Sequence, residues 1–221
     1  MYLAIDGVIG VGKTSLVRLL QPALGAEALL EVFEENPFLS DFYSDRARYA
    51  FQTQIFFLLS RYQQQAAVPG LLAQGPLIAD YTFAKDALFA RINLSGDDLT
   101  LYHRLHDALA EKIPPPDLVV YLRAPTPVLL QRIAHRGRAY EQKMDPAYIA
   151  ELNEAYDEFF SRAADAAATG GARRQPPVLT LDTAGLDFVA NDADLRQVAE
   201  QIQAALGIGA VQVPLPFGDQ R

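Results

Sequence analysis

The chain has 221 residues, half of them hydrophobic, no cysteine and a formal net charge of −8. This length suits one well-buried α/β domain rather than two, and without cysteine there is neither a disulfide framework nor a thiolate metal site. The acidic balance argues against a broad nucleic-acid-binding face. With no leader-like start and no apolar run of membrane-spanning length, a cytoplasmic protein away from membranes is expected.

Tyr2 to Asp6 reads as a short apolar strand. Gly7-Val8-Ile9-Gly10-Val11-Gly12-Lys13-Thr14 then fills the pattern G-x-x-x-x-G-K-[ST], with a helical stretch from Ser15 to Leu24 behind it. Such a loop wraps a phosphate chain so that backbone N–H groups and the helix N-terminus face the anion. Gly7, Gly10, Val11 and Gly12, with Lys13, Thr14 and Ser15, are therefore the candidate contacts to a nucleotide's phosphates. Lys13 would reach the β- and γ-phosphates and Thr14 would hold Mg²⁺. A ligand-free glycine turn is the bland alternative; the matching strand and helix argue against it.

A second strand is expected from Ala28 to Phe33, interrupted by Glu31. On pattern alone Glu31 is either an edge-strand carboxylate in solvent or a buried, functional one. Glu34-Glu35-Asn36-Pro37 ends the strand, and Phe38 to Tyr43 is a short helical or irregular segment. From Arg48 to Gln65 so many apolar and aromatic residues occur that the predicted helix must be covered on more than one side, by the sheet and a helix or by a second subunit. Gln52, Gln54 and Arg61 on it form either a solvated stripe or a group that reads a nucleobase.

Gly75-Pro76 introduces a third strand, Leu77 to Tyr81, which carries Asp80 near its carboxyl end, where ligands bind in α/β sheets. A helix is expected from Asp98 to Ile113, stopped by Pro114-Pro115-Pro116. A fourth, continuous strand is expected from Leu118 to Leu122. Thr126-Pro127 supplies an N-cap and N1 pair for a helix through about His135. Its end carries Arg132, His135, Arg136 and Arg138, which in a net-acidic chain with a phosphate loop read as phosphate contacts rather than a solvated face.

Asp145-Pro146 caps a helix whose stripe Tyr148, Leu152, Tyr156, Phe159 and Phe160 belongs in the core. Thr169 to Pro177 is a loop, Val178 to Asp182 a fifth strand, and Asp192 to Leu206 a last helix closed by Gly207. Residues 207–221 form an irregular tail. The whole predicts an α/β, three-layer P-loop fold: a five-stranded parallel sheet flanked by helices, in a single domain over residues 1–206.

Several ordered motifs resemble the deoxynucleoside kinases, specifically the bacterial deoxyguanosine/deoxyadenosine kinase branch. Glu31-Val32-Phe33-Glu34-Glu35-Asn36-Pro37-Phe38-Leu39 is similar to that family's second-strand block, with Val32 where proline is usual. Tyr43, Tyr49-Ala50-Phe51-Gln52-Thr53-Gln54 and Leu59-Ser60-Arg61 follow the next block. Arg132, Arg136, Arg138 and Glu141 fit the spacing of the family's arginine-rich lid, near residues 132–144. The resemblance implies Glu31 as catalytic base, with Lys13, Arg136 and Arg138 stabilising the transferring phosphoryl group. It also implies Tyr43 and Glu141 at the sugar 3′-hydroxyl, Gln54 and Arg61 at the base, and Arg132 with Arg136 at the ATP phosphates. Asp187, Phe188 and Val189 would line the donor adenine, and Asp80 would hold Mg²⁺ through water. A homodimer, with the Arg48 to Gln65 helix at its interface, is implied as well.

One departure concerns Asp80-Tyr81-Thr82, where the family usually has arginine at the middle position. The interval to Phe89 is also one residue shorter than the common pattern, so either Lys85 or Asp86 could occupy the base-recognition position. The Asp-Tyr form resembles deoxyguanosine-kinase-like members, which tilts the expectation toward guanine. Two rivals remain. A thymidylate-type monophosphate kinase would need cations where this chain places Glu31, Glu34, Glu35 and Asp80. A GTPase-like switch has only Asp182-Thr183-Ala184-Gly185 in its favour, with no guanine-reading Asn-Lys-x-Asp after it.

Overall fold

In a computed structural model, which describes residues 1–169 and 176–209, the strands are β1 (Tyr2–Gly7), β2 (Glu27–Leu29), β3 (Leu77–Ala79), β4 (Leu118–Arg123) and β5 (Val178–Asp182). All pair in parallel, in the order β2-β3-β1-β4-β5. The central strands β1 and β4 are apolar almost throughout, because a parallel strand covered by helices on both faces has no solvent side. Every residue of β1 is buried, and of β4 only Arg123 is exposed.

Nine helices are found among the described residues: α1 (Lys13–Leu24), α2 (Leu39–Ser44), α3 (Arg46–Ala66), α4 (Val68–Leu72), α5 (Lys85–Asn93), α6 (Gly96–Ala110), α7 (Thr126–Arg136), α8 (Pro146–Thr169) and α9 (Asp192–Leu206). A 3₁₀ turn follows α7 at Ala139–Lys143. No helix among the described residues is long and apolar enough to cross a membrane.

The second strand is shorter than expected. Among the described residues it pairs only with β3, which itself ends at Ala79. Beyond that edge the Glu31 N–H finds a side chain instead of a strand, donating to Asp80 Oδ1 at 2.7 Å. The third strand likewise ends at Ala79 rather than Tyr81. α4 and α5 were not expected from the pattern. α4 is five residues containing Val68-Pro69-Gly70, and α5 buries Lys85 and Asp86 along with Leu88 and Ala90, which hides its apolar period.

At α7 the cap is Pro125 rather than Thr126: its carbonyl accepts from the Val128 and Leu129 N–H groups, and Pro127 lies inside the first turn. The expected tail and the loop after α8 fall outside the described residues, apart from Thr169, Pro176 and Pro177 and from residues 207–209. Gly207 closes α9 at φ +67°, a left-handed conformation that glycine adopts without a Cβ penalty.

α3 packs against α2, α5 and α6. The solvated-stripe alternative for its polar residues is thereby overturned for two of them: Gln54 is 2% and Arg61 4% exposed. Gln52 is exposed. Leu59, together with Leu101 and Leu105 of α6, remains exposed. On α8, Tyr148, Leu152, Tyr156 and Phe160 are core residues as expected, and Phe159 is half-buried.

Candidate active site

The carboxyl ends of β1, β2 and β3 converge on one pocket. Asp6, the last side chain of β1, is fully buried, and four donors satisfy it: Gly7 N–H at 2.7 Å, Thr82 N–H at 3.0 Å, Thr82 Oγ1 at 2.5 Å and Tyr156 OH at 3.3 Å. It ties the start of the phosphate loop to the chain leaving β3. Gly12 sits at φ +108°, and a Cβ there would lie 2.8 Å from the Phe188 ring, so both conformation and space require glycine.

Lys13 folds over this loop, donating to the carbonyls of Gly7 at 2.7 Å and Val8 at 3.1 Å. Burial, with Lys85 close by, lowers its pKa to about 8. Thr14 Oγ1 donates to Asp80 Oδ2 at 2.5 Å, while Asp80 Oδ1 holds the Glu31 backbone. Burial raises the Asp80 pKa. A hydroxyl and a carboxylate side by side at a phosphate loop are hard oxygen ligands, which suits Mg²⁺ taking one or two protein ligands with phosphate and water completing its shell. The described residues contain no cluster of three His, Cys, Asp or Glu that would hold a metal alone.

Glu31 is the centre of a buried ionic network. Its Oε1 accepts from Arg61 Nε at 2.9 Å and from Arg61 Nη2, and its Oε2 accepts from Lys85 Nζ at 2.6 Å. Burial works against the charged form, but Arg61 and then Lys85 outweigh it and hold the carboxyl well below the usual carboxylate range. Arg61 Nη1 bridges onward to Asp86, whose Oδ2 is buried without a partner among the described residues. Of the two candidates near the start of α5, Lys85 thus faces Glu31 and Asp86 faces Arg61.

The opposite wall comes from the segment after α7. Arg136 pairs with Glu141 through Nε to Oε2 at 3.1 Å and Nη2 to Oε1. The guanidinium of Arg138 lies 4.4 Å above the Phe33 ring and donates to Tyr140 OH at 3.0 Å. Tyr140 in turn stacks on Tyr43, 6.3 Å between centroids at 11°. Burial, with Glu141 among the nearby charges, raises the Tyr43 hydroxyl well above its ordinary value, so it is a neutral donor.

Lys13, Thr14, Glu31, Asp80, Arg61 and Lys85 therefore share the pocket with Tyr43, Arg136, Arg138 and Glu141, and Gly7 and Gly10 line it as well. Gln54, Asp86 and Arg132 do not line it, nor do Asp187, Phe188 and Val189. Arg132 directs its guanidinium to the Val11 carbonyl at 3.3 Å, Thr183 Oγ1 at 3.0 Å, and the carbonyls of Thr183 at 2.8 Å and Leu186 at 3.2 Å. It thus staples the phosphate loop to the turn before Asp187. Phe188 is buried against Gly12, whereas Val189 is half-exposed. Phe33 and Tyr140 were missed by sequence reasoning. Their signal was an aromatic next to each proposed functional block, one beside the acidic stretch and one between Arg138 and Glu141.

A family model described as deoxynucleoside kinase matches residues 3–206. The chain is 34% identical over 204 residues to a deoxyguanosine kinase of Bacillus subtilis (strain 168), covering 91% of this chain and 96% of that protein. It is 33% identical over 208 residues to a deoxyadenosine kinase of Dictyostelium discoideum, covering 92% of this chain and 78% of that one. Among solved structures, a deoxyadenosine kinase from M. mycoides with the products dCMP and dCDP matches with a TM-score of 0.77 at 27% identity, covering 92% of this chain and 100% of that chain. The same protein with bound dATP also matches with a TM-score of 0.77 at 26% identity, covering 92% and 99%.

Proposed function

The chain belongs to the deoxynucleoside kinase family, and from that premise we propose that it transfers the γ-phosphoryl group of ATP to the 5′-hydroxyl of a purine 2′-deoxynucleoside, deoxyguanosine ahead of deoxyadenosine. The observation that carries the reading is Glu31: a carboxylate in the same pocket as Lys13 and Thr14, with Tyr43 and Glu141 on the facing wall. A carboxylate there can take the proton of a hydroxyl acceptor, and the cations beside it, Arg61 and Lys85, are engaged by Glu31 and Asp86 rather than left for a phosphate on the acceptor. Asp182-Thr183-Ala184-Gly185 does not favour a GTPase switch, since Thr183 is buried as a partner of Arg132.

Phosphoryl transfer depends on positioning and charge stabilisation rather than on covalent chemistry by the protein. Glu31 accepts the 5′-hydroxyl proton as the 5′ oxygen bonds to the γ-phosphorus and the bond to the leaving ADP oxygen breaks. Lys13, Arg136 and Arg138 stabilise the charge on the transferring group. Thr14 and, through water, Asp80 would hold Mg²⁺, which neutralises phosphate charge when bound. Tyr43 and Glu141 take the 3′-hydroxyl, and the segment 132–144 acts as a lid over a single kinase domain of residues 1–206.

Two points support guanine. The 34% identical relative is a deoxyguanosine kinase. Arg61, on the pocket wall, keeps N–H groups beyond those given to Glu31 and Asp86. Guanine offers adjacent O6 and N7 acceptors to such donors, whereas adenine offers N7 beside the N6 donor. Gln54 and Asp86 lie outside the pocket lining, so they do not separate the two purines. Measuring product from ATP and Mg²⁺ with deoxyguanosine, deoxyadenosine, deoxycytidine, thymidine and their monophosphates tests the assignment: deoxyguanosine should give the highest kcat/KM, and turnover confined to monophosphates would contradict it. The exposed leucines of α3 and α6 support a homodimer built on that face.

A further inference from the structure

We propose that Lys85 is the positioning residue of the base carboxylate: it fixes Glu31 Oε2 as the oxygen that takes the 5′-hydroxyl proton, and it does not read the nucleobase. This rests on the assignment of Glu31 as the base.

The two oxygens of Glu31 are not equivalent. Oε1 receives two N–H groups of Arg61 and has no lone pair left over, while among the described residues Oε2 receives only Lys85 Nζ at 2.6 Å. A carboxylate oxygen accepts two hydrogen bonds readily, so Oε2 is the one with a vacant acceptor position for the hydroxyl. Lys85 is itself 3% exposed and is the first residue of α5. The positive end of the helix dipole gives a cation no support there, and a buried ammonium without a partner is expensive. Glu31 is the carboxylate that neutralises it, and the Tyr81 ring, 5.6 Å from Nζ, adds a secondary contact. Arg61 cannot replace Lys85 as the dedicated counter-ion, because Asp86 claims part of its charge.

The charged and titratable groups around Glu31 are Arg61 from α3, Lys85 from α5, Lys13 from α1 and Asp80 after β3. Tyr43 from α2, Tyr81 and Tyr156 from α8 complete the surroundings. The proton passes to Oε2 as the 5′ oxygen bonds to phosphorus, with the ADP oxygen departing in the same step. Lys85 thereby holds Oε2 where the hydroxyl must present that proton.

The test is kcat and KM for the nucleoside in wild type, Lys85→Met and Lys85→Arg, each with ATP and Mg²⁺. Lys85→Met should lose about 10²-fold in kcat with KM little changed, as for an interaction that matters in the transition state, and Lys85→Arg should recover most of that loss. The ratio of deoxyguanosine to deoxyadenosine turnover should be the same in all three. A loss confined to KM in Lys85→Met, no recovery in Lys85→Arg, or a changed base ratio overturns the proposal. Should Lys85→Met not fold, Lys85→Gln gives the same readout. Full turnover by Glu31→Gln would instead remove the assignment of the base, which is a different failure.

Discussion

Arg136 and Glu141 engage each other through both carboxylate oxygens, in a pair that leaves Glu141 only 6% exposed. The group proposed for the sugar 3′-hydroxyl is thus the counter-ion of a group proposed for the transferring phosphoryl. Acceptor and donor recognition then share one carboxylate. Glu141→Gln should lower kcat by 10²-fold or more, in line with loss of a preorganised electrostatic contact at about 2.7–4 kcal/mol, while ATP binding followed by calorimetry changes little. A 3′-deoxy acceptor should also lose kcat in the wild type. A variant in which only KM for the nucleoside rises would separate the two roles.

Arg132 is the second residue whose structural partners redirect its expected role. Its guanidinium satisfies the Val11, Thr183 and Leu186 carbonyls and Thr183 Oγ1. Removing it leaves these acceptors short of a donor, at about 1–3 kcal/mol for each buried group left unsatisfied. Arg132→Met should lower the Tm and raise KM for ATP, because the phosphate loop and the turn before Asp187 are no longer tied together. Unchanged Tm with a loss confined to kcat would instead mark Arg132 as a direct phosphoryl contact.

How much of this was legible beforehand depended on what each signal measures. The phosphate loop, β4, β5 and α9 were readable because a spacing or an apolar run determines them locally. The end of β2 was not: Glu31 leaves the sheet because its edge partner β3 stops, a fact of pairing rather than of composition. Lys85 and Asp86 are neighbours in sequence, and only the placement of α5 against α3 turns one to Glu31 and the other to Arg61. Arg132 shares its spacing with Arg136, yet the two point to different partners.

Lys13 provides a pH dependence opposite in sense to that of a carboxylate. Burial and then Lys85 lower its pKa to about 8, so in the free enzyme the ammonium is lost as pH rises through that value. The kcat/KM for ATP should therefore fall above about pH 8. Lys85→Met, by removing a neighbouring cation, should move that alkaline limb upward. A profile flat to pH 10 would show that Lys13 keeps its ordinary pKa.

Leu59 on α3 and Leu101 and Leu105 on α6 expose apolar surface on adjoining helices. Light scattering should give twice the monomer mass, and Leu59→Lys combined with Leu101→Lys should shift it toward the monomer without unfolding the sheet. A wild-type monomer at micromolar concentration would contradict the proposed homodimer.

The most direct measurement is single-turnover phosphoryl transfer by Glu31→Gln with ATP, Mg²⁺ and deoxyguanosine, alongside ATP binding by the same preparation. The amide keeps the size of the side chain and a hydrogen-bond acceptor, but it cannot take the proton. With Glu31 as the base, ATP should bind nearly as in the wild type while transfer falls by about 10²–10⁴-fold. Transfer at the wild-type rate would contradict that role, and with it the account of how the pocket works.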